Sequence, residues 1–425
     1  MSSHWVSLLQ GMLPTMQVSS GIDTCSNPDV ISIYHNQSRL TAGIEIKFPQ
    51  KRIARIAVSF FFFLAGLCFS TWASRIPNIQ QKLHLSNAAL GGVLLGLPAG
   101  LLTSLPIAGW LVAKFSSRPV LITAGILYGC ILPLLGLAAQ TWQLVACLFL
   151  FGMSGNMLNI AMNTQAIGTE ALYERTIMAS YHGLWSLAGF SGAAIGTVMI
   201  GFGIVPYQHF LVITFIAISI TLINAQFLLR KETNRSEHQP IFAMPDKSLI
   251  TLGIIAFCSM ICEGAMFDWS GVYFQKVIQP PQGLVAAGYT AFMATMASGR
   301  FIGDWFATKK GIKIMLQISG ALTAMGLLIA IIFPYLITAI IGFLFVGAGV
   351  SSVVPLVYSA AGKSKVLSPG LALAAVSTIG YLGFLFGPPF IGFIAQASSL
   401  RVSLGLIAIM GLAITVMATR SKFES

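Results

Sequence analysis

The chain has 425 residues, of which 56% are hydrophobic and only 8% are charged. Soluble domains carry about 25% charged residues, so a water-soluble fold is excluded for most of this chain and lipid is the expected solvent. The formal net charge of +12 does not indicate nucleic-acid binding, because Lys and Arg in the loops of a membrane protein are expected for topological reasons.

Residues 1–50 are rich in Ser and Asn and lack a long apolar run, so they predict a disordered cytoplasmic tail. The opening MSSHWVSLLQ contains neither Lys nor Arg, which disfavours a signal peptide. Five of the six cysteines lie inside apolar segments, so no disulfide framework is expected. Cys258 and Cys262 lie one helical turn apart beside Glu263, but no His or further Cys accompanies them. We therefore predict no metal site and no cofactor.

From residue 53 onward the chain consists of apolar segments, each close to the length of about 20 residues that a membrane helix needs. Continuous apolar runs favour helices over the alternating strands of a membrane barrel. We predict an all-α integral membrane fold with twelve transmembrane helices, over 53–75, 87–112, 119–139, 143–166, 177–201, 209–229, 248–272, 284–307, 313–333, 337–360, 371–396 and 401–420.

The longest polar connection between predicted helices follows the sixth helix, which divides the chain into equal groups. We predict an N-terminal six-helix bundle over 51–229, a cytoplasmic linker over 230–247, a C-terminal six-helix bundle over 248–420 and a cytoplasmic tail over 421–425. Most Lys and Arg fall on the side of the N-terminus. The opposite side receives only Arg75, Lys82, Lys276 and Arg401, and this bias predicts that both termini are cytoplasmic.

The two groups of helices repeat each other in sequence. GWLVAK at 109–114 matches DWFATK at 304–309 with an offset of 195 residues, and STWAS at 70–74 matches FDWSG at 267–271 with an offset of 197. Repeated halves of this kind are typical of a secondary transporter with a binding site near the membrane midplane.

These features resemble the Major Facilitator Superfamily, whose loops after helices 2 and 8 carry a glycine, an acid and basic residues. GWLVAKFSSR keeps the glycine and the basic residues but has Ala113 at the acid position, and GRFIGDWFATKKGIK has Thr308 there. STWASRIP, HGLWSLAG, EGAMFDW and GYLGFLFGPP further resemble a bacterial branch of permeases that includes proteins linked to rhizopine genes and lies near the fucose permeases. The resemblance covers about 53–420 and implies two pseudo-symmetric bundles, with no general substrate.

The segment EGAMFDW places two carboxylates, Glu263 and Asp268, in the seventh predicted helix. A charge at the bilayer centre costs about 2.5–3.5 kcal/mol on insertion scales, so both acids are expected to face water or a cation, or to be protonated. We predict proton coupling through both, with Glu263 as the deeper group; the alternative is that each pairs with a cation and holds helices together. The two acids are about 140° apart on an ideal helix, so a shared face requires a break at Gly264.

A gate is predicted on each side of the membrane. Arg75 ends the first helix on the outer side and is a candidate partner of Asp268, unless it reaches the lipid headgroups. Pro77 is expected to end that helix. On the inner side, Arg300 and Asp304 are four residues apart and can pair with each other. Together with two lysines of the repeated loops, Lys114 and Lys309, they are assigned to gating and not to substrate binding.

Candidate substrate ligands are amides and aromatic residues. Asn156, Asn159 and Asn163 share one face of the fourth helix, where they suit a hydroxyl-rich solute or bond neighbouring helices. Flat faces for a sugar ring, or alternatively a lipid-facing belt, are offered by Trp185, Trp269, Tyr358 and Tyr381. His182 is predicted to relay protons or to support helix packing.

The sequence thus predicts a secondary active transporter in the inner membrane that acts as a monomer and moves a sugar, polyol or amino-sugar-like solute by alternating access with protons. One alternative is a proton-driven exporter of drugs or metabolites. Another is a membrane sensor that binds without transport. No nucleophile–base or metal set indicates an enzyme.

Overall fold

The computed structural model describes residues 48–173, 177–230, 247–364, 367 and 369–421. The predicted N-terminal tail apart from its last residues, most of the predicted linker and the last four residues lie outside the described residues. Regular structure in the described part is helical, without strands, which confirms the all-α fold.

The helices follow one another through short connections. They are α1 Phe48–Lys82, α2 Asn87–Phe115, α3 Ser117–Leu137, α4 Thr141–Glu170, α5 Met178–Gly201, α6 Pro206–Ala225, α7 Lys247–Tyr273, α8 Ala287–Lys310, α9 Ile312–Ile332, α10 Leu336–Ala361, α11 Pro369–Ala397 and α12 Leu400–Arg420. A π-helical turn, Phe274–Ile278, extends α7, and a short 3₁₀ turn, Gln282–Leu284, precedes α8.

Within the described ranges, eleven of these helices are long and apolar enough to cross a membrane. The exception is α8, whose second half contains Arg300, Asp304, Lys309 and Lys310. Twelve membrane-crossing helices therefore stay a prediction, and α8 is the helix on which it depends.

Prolines break two helices but not the one in which a break was expected. α2 is interrupted at Leu95 and α10 at Ser351 and Ser352. Because a proline has no N–H, Pro98 and Pro355 leave the carbonyls four residues earlier, at these two breaks, without a helical donor. The prediction that Pro77 ends α1 was wrong: α1 continues to Lys82, and the Pro77 ring packs against Gly271 of α7.

Successive helices run in opposite directions and define two sides of the bundle. We call side A the side where α1 begins and α4 ends; there the Tyr173 hydroxyl donates to the Lys51 carbonyl at 3.2 Å. Side B is the side where α1 and α3 end, and there the Lys82 ammonium donates to the Gly136 carbonyl at 2.8 Å. We refer to residues 48–230 as the first half and to residues 247–421 as the second half.

Helix packing is the same in the two halves. In the first half α2 packs on α4 and α3 on α6, and in the second half α8 packs on α10 and α9 on α12. The halves meet where α5 packs on α8 and where α11 packs on α2. Exchanging the halves converts one of these contacts into the other, which is the pseudo-two-fold relation expected of repeated halves.

The ends of α2 and α8 repeat the same local geometry. The Lys114 ammonium lies 4.7 Å from the centre of the Trp110 ring, and the Lys309 ammonium lies 4.0 Å from the centre of the Trp305 ring. Each helix is followed by a residue of positive φ, Ser116 at 68° and its counterpart 195 residues later, Gly311, at 81°. Both lysines, predicted as gating residues, are exposed at side A and stack on tryptophan one turn earlier.

Candidate functional site

A cavity of about 650 Å³ lies between the halves, near the middle of the helices. Four helices of each half contribute most of its lining, α1, α2, α4 and α5 with α7, α8, α10 and α11. The predicted site residues that line it are Asn156, Asn159, His182, Trp185, Glu263, Asp268, Arg300, Tyr358 and Tyr381. Most of the remaining lining is apolar.

The cavity is covered on side B and extends toward side A. Its lining reaches Met178, the first residue of α5, and Tyr358 near the end of α10, both on side A. On side B the halves touch: the Lys276 ammonium donates to the Asn87 side chain at 2.7 Å, and the α2 backbone contacts α11 at Gly91. In this conformation the cavity is therefore reached from side A.

An ion pair crosses from α7 to α8 in the cavity. The Arg300 guanidinium donates to the Glu263 carboxylate at 3.2 Å, and the Glu263 side chain is only 7% exposed. A second guanidinium nitrogen of Arg300 donates to the Ser186 hydroxyl of α5 at 3.0 Å, and the guanidinium carbon lies 5.5 Å from the Trp185 ring centre. Arg300 therefore joins an acid of its own half to two residues of the other half.

The assignment of Arg300 to an inner gate with Asp304 stays a prediction. The side chain of Asp304 lies outside the described residues, and the partner that the structure gives Arg300 is Glu263. Arg300 lies in the cavity because it is near the middle of α8, about two and a half turns before Lys309 in the last turn of that helix.

The predicted pair between Arg75 and Asp268 is absent. Arg75 is 1% exposed and donates to the His209 ring nitrogen Nδ1 at 3.1 Å, to the Ile204 carbonyl at 2.9 Å and to the Asn78 side chain at 3.4 Å. These partners belong to the first half, so Arg75 holds that half together at side B. Asp268 lines the cavity, and within the described part of the chain its carboxylate makes no hydrogen bond or ion pair.

Both acids face the cavity although α7 does not break at Gly264. The residues of α7 that line the cavity are Met260, Glu263, Gly264, Phe267 and Asp268. On an ideal helix they cover an arc of about 140°, with Glu263 at one edge and Asp268 at the other. The expectation that the acids require a helix break to share a face was wrong, because the cavity is wide enough to meet this whole arc.

The three amides of α4 have different surroundings. The Asn156 amide is buried and donates to the Ser104 hydroxyl of α2 at 2.9 Å, which is the helix-bonding alternative. Asn159 is exposed to the cavity. Asn163 is outside the lining and donates to the Asn159 side chain at 3.0 Å, so it orients Asn159 and is not itself placed to contact a solute.

The predicted aromatic ligands also separate into two groups. Trp269 is fully buried in the core and does not line the cavity, so its assignment as a substrate ligand is corrected. Its sequence counterpart Trp72 is likewise buried. Tyr358 and Tyr381 line the cavity and lie close enough to Glu263 to interact with it electrostatically. His182 is exposed in the lining, 5.3 Å from the Phe62 ring centre.

No group of three His, Cys, Asp or Glu side chains that could hold a metal ion occurs in the described ranges. The thiol of Cys262 instead donates to the Ile407 carbonyl of α12, away from the cavity.

Residues 58–366 match the sequence profile of the Major Facilitator Superfamily. The chain belongs to the Major Facilitator Superfamily. This superfamily member is 34% identical over 365 residues to an uncharacterized MFS-type transporter of Yersinia pestis, a match that covers 86% of the chain and 94% of that protein. It is 31% identical over 379 residues to the membrane protein MosC of Rhizobium meliloti, covering 88% and 91% respectively. It is thus a multi-pass membrane protein of a transporter family.

Solved structures of other transporters share its fold. A bacterial homologue of the human lysosomal transporter Spinster, in an inward-facing and unoccupied conformation, superposes with a TM-score of 0.68 at 15% identity, over 88% of this chain and 97% of that one. The nucleoside transporter NupG superposes with a TM-score of 0.69 at 11% identity, over 87% of this chain and all of that one. At these identities the likeness concerns the fold alone.

Two groups at the site of this superfamily member were missed from sequence. Ser186 binds Arg300, but a serine in an apolar helix carries no signal of its own. The second group is Phe69, Phe267 and Phe384. Their rings extend the predicted Trp185 ring into a continuous row along the cavity, with successive centres 6.2, 5.1 and 6.4 Å apart. Phenylalanines are common in every membrane helix, so only the tertiary structure distinguishes these.

Proposed function

We propose that this superfamily member is a secondary active transporter that moves a small polar solute across the bacterial inner membrane by alternating access, coupled to protons. The observation that carries the proposal is the Glu263–Arg300 ion pair, in which the guanidinium lies 3.2 Å from the carboxylate. It lies in the cavity and reaches residues of both halves.

The pair can couple a proton to a solute because both act on one guanidinium. A proton on Glu263 removes the charge that balances Arg300, and a poorly hydrated cation without a counter-charge is costly inside a protein. Arg300 is then stabilised by a polar group of the solute. Deprotonation of Glu263 restores the pair and weakens the hold on the solute, so that proton and solute binding favour each other.

The same contacts link the state of Glu263 to the halves. Arg300 is on α8, and its second hydrogen bond goes to Ser186 on α5. Since α5 packs on α8 where the halves meet, a change in the direction of the guanidinium alters that contact. Coupling requires an element of this kind, with two arrangements that both ligands bias.

A hydroxyl-rich solute is favoured by the polar groups around the pair. Asn159 and Tyr381 are both exposed in the lining, and Tyr358 and Trp185 lie beside the ion pair. Amides and phenols donate and accept hydrogen bonds, and an indole offers a flat face. A sugar, polyol or amino-sugar-like compound matches this combination.

We assign side A to the cytoplasm. The exposed or partly exposed cations near side A outnumber those near side B; they include Lys51, Arg52, Arg55, Lys114, Arg118, Lys309, Lys310 and Lys313. This bias supports cytoplasmic termini. A monomer suffices for the proposal, since both halves of the cavity come from one chain.

The test compares Glu263→Gln with the matched substitution Glu170→Gln in proteoliposomes. Glu170 lies outside the cavity lining and accepts hydrogen bonds from the Ile177 and Met178 amides, a role in which a glutamine oxygen can substitute. We expect Glu263→Gln to abolish proton-driven accumulation while counterflow of the same solute continues. Glu170→Gln should retain both activities.

Three outcomes separate the possibilities. Uphill accumulation by Glu263→Gln at the wild-type level refutes coupling through this acid. Binding without counterflow in the wild-type protein points to a sensor. Proton-driven efflux of apolar cations, with no movement of sugars or polyols, favours the second candidate, an exporter of drugs or metabolites. The largely apolar lining, which includes Met162, Met178 and Met260, supports this candidate.

A further inference from the structure

We infer that the solute carries a protonated amine, and that this ammonium group binds between the Asp268 carboxylate and the aromatic row of Phe69, Phe267 and Phe384. The inference rests on the proposed function, because it takes the cavity to be a solute site. It adds a substrate class and assigns to Asp268 a role separate from the proton chemistry of Glu263.

While Glu263 is ionised, as in the ion pair that the structure shows, the charges of the cavity do not balance. The charged residues of its described lining are Glu263, Asp268 and Arg300. Glu263 and Arg300 neutralise each other at 3.2 Å. Asp268 is then one carboxylate in excess, with no hydrogen-bond or ion-pair partner among the residues that the structure describes. A bound monocation completes the balance, whereas an anion is repelled.

The position of Asp268 allows a ligand to reach it without disturbing the ion pair. Glu263 and Asp268 lie at opposite edges of the cavity face of α7, about 140° apart. Gly264 and Phe267 lie between them on that face. Gly264 has no side chain, so the Phe384 ring packs closely on α7 between the two acids, and a Cβ there would stand only 3.1 Å from that ring.

The aromatic row supplies the other part of the proposed ammonium site. Phe267 precedes Asp268 in sequence, and its ring centre lies 5.1 Å from that of Phe69 and 6.4 Å from that of Phe384. All three line the cavity. Ring faces attract cations, and this attraction is strongest where water is scarce. A carboxylate that lines the same cavity as several rings is therefore suited to an ammonium group with carbon neighbours.

A neutral hydroxyl compound fits Asp268 less well. It offers one uncharged donor, and a charge-assisted hydrogen bond is roughly twice as strong as a neutral one. For an amine and an alcohol of the same skeleton we therefore expect at least about tenfold tighter binding of the amine.

The experiment measures binding to the purified full-length protein in detergent, by thermal shift and titration calorimetry. The probes are D-glucosamine with D-glucose, and 2-phenylethylamine with 2-phenylethanol. Within a pair only the charged group differs. We expect a wild-type preference for the amine of at least about tenfold, retention of that preference in Asp268→Glu and in the control Glu170→Gln, and its loss in Asp268→Asn.

A second measurement does not depend on the choice of probe. The substitution Asn159→Cys is made in a protein whose native cysteines have been replaced. The new thiol is then modified with a cationic and with an anionic methanethiosulfonate reagent. Asp268 should raise the ratio of the cationic to the anionic rate by about threefold or more over Asp268→Asn. Size-exclusion chromatography verifies that each variant is folded.

The inference is overturned if amine and alcohol bind equally, if the preference persists in Asp268→Asn, or, where no probe binds, if the rate ratio is unchanged by Asp268→Asn. Its failure is distinct from failure of the proposed function. Amine preference without any counterflow supports this inference and refutes transport. Uphill movement of neutral polyols alone supports transport and refutes this inference.

Discussion

A single methyl group on side B should change which side of the membrane the cavity faces. The backbones of α2 and α11 meet at Gly91, where a Cβ would stand 2.7 Å from the Pro388 carbonyl oxygen and 3.1 Å from the Gly392 Cα. Both are backbone atoms, so they cannot move aside as a flexible side chain can. Ordinary contact begins near 3.4 Å, so Gly91→Ala forces the two helices apart by about 0.7 Å.

The energetic effect falls on one conformation only. Overpacking of this kind costs about 1–3 kcal/mol. In the proposed conformation that opens to side B, α2 and α11 separate and the methyl group meets no backbone. The population that opens to side B should therefore rise by about 5–150-fold, the ratio that corresponds to this energy.

The neighbouring residue gives a matched control. Gly92→Ala adds the same methyl group and the same gain in helix propensity, but a Cβ there has no atom within 4 Å. The assay uses the substitution Asn159→Cys and measures the rate at which an impermeant maleimide added from side B labels it in oriented vesicles. We expect faster labelling in Gly91→Ala than in the wild type, and no change in Gly92→Ala.

Equal labelling of the two alanine variants refutes the argument that the α2–α11 contact closes side B. If Gly91→Ala does not fold, Gly392→Ala provides the same test from the other helix, since its Cβ would stand 2.6 Å from the Asn87 carbonyl oxygen.

Two further predictions concern stability, measured by thermal unfolding of purified protein. Arg75→Gln should destabilise the protein by about 1–3 kcal/mol, because it removes three hydrogen bonds and leaves the buried His209 ring nitrogen without its donor. The control Arg401→Gln removes one exposed hydrogen bond and should have little effect. Equal losses of stability in the two variants would contradict this prediction. Asn156→Leu should lower the stability by about 1 kcal/mol through loss of its interhelical hydrogen bond. Asn163→Leu breaks contacts within α4 only and should lower the stability less. The reverse order would show that the three amides of α4 act as a unit.

Much of the fold was predictable because a membrane helix can be recognised from the hydrophobicity of its own segment. Apolar runs of fixed length indicated the helix positions. The sequence repeat was also confirmed in the structure, where Lys114 stacks on Trp110 and Lys309 stacks on Trp305. α8 escaped the apolar criterion because its charged residues, which include the cavity arginine, lower its hydropathy. Pro77 was misread because the effect of a proline depends on neighbouring helices as well as on its own hydrogen bonds.

The candidate site was predictable as a set of residue types but not as a set of partners. Intramembrane acids indicated the cavity, and Glu263 and Asp268 both line it. Their partners were not predictable: Arg75, the expected partner of Asp268, binds His209, and Arg300 binds Glu263, for which no particular partner was predicted. Spacing along a helix can show which residues share a face, but it cannot show which helix lies opposite.

By itself, the sequence determined that this chain folds as membrane helices in repeated halves, because the transfer of apolar segments into lipid depends on composition and length alone. The tertiary structure decided which acid is neutralised and which is left without a partner, since pairing is set by distances of a few ångströms between helices far apart in the chain. It also decided which aromatic rings face the cavity and which, like Trp269, are buried in the core.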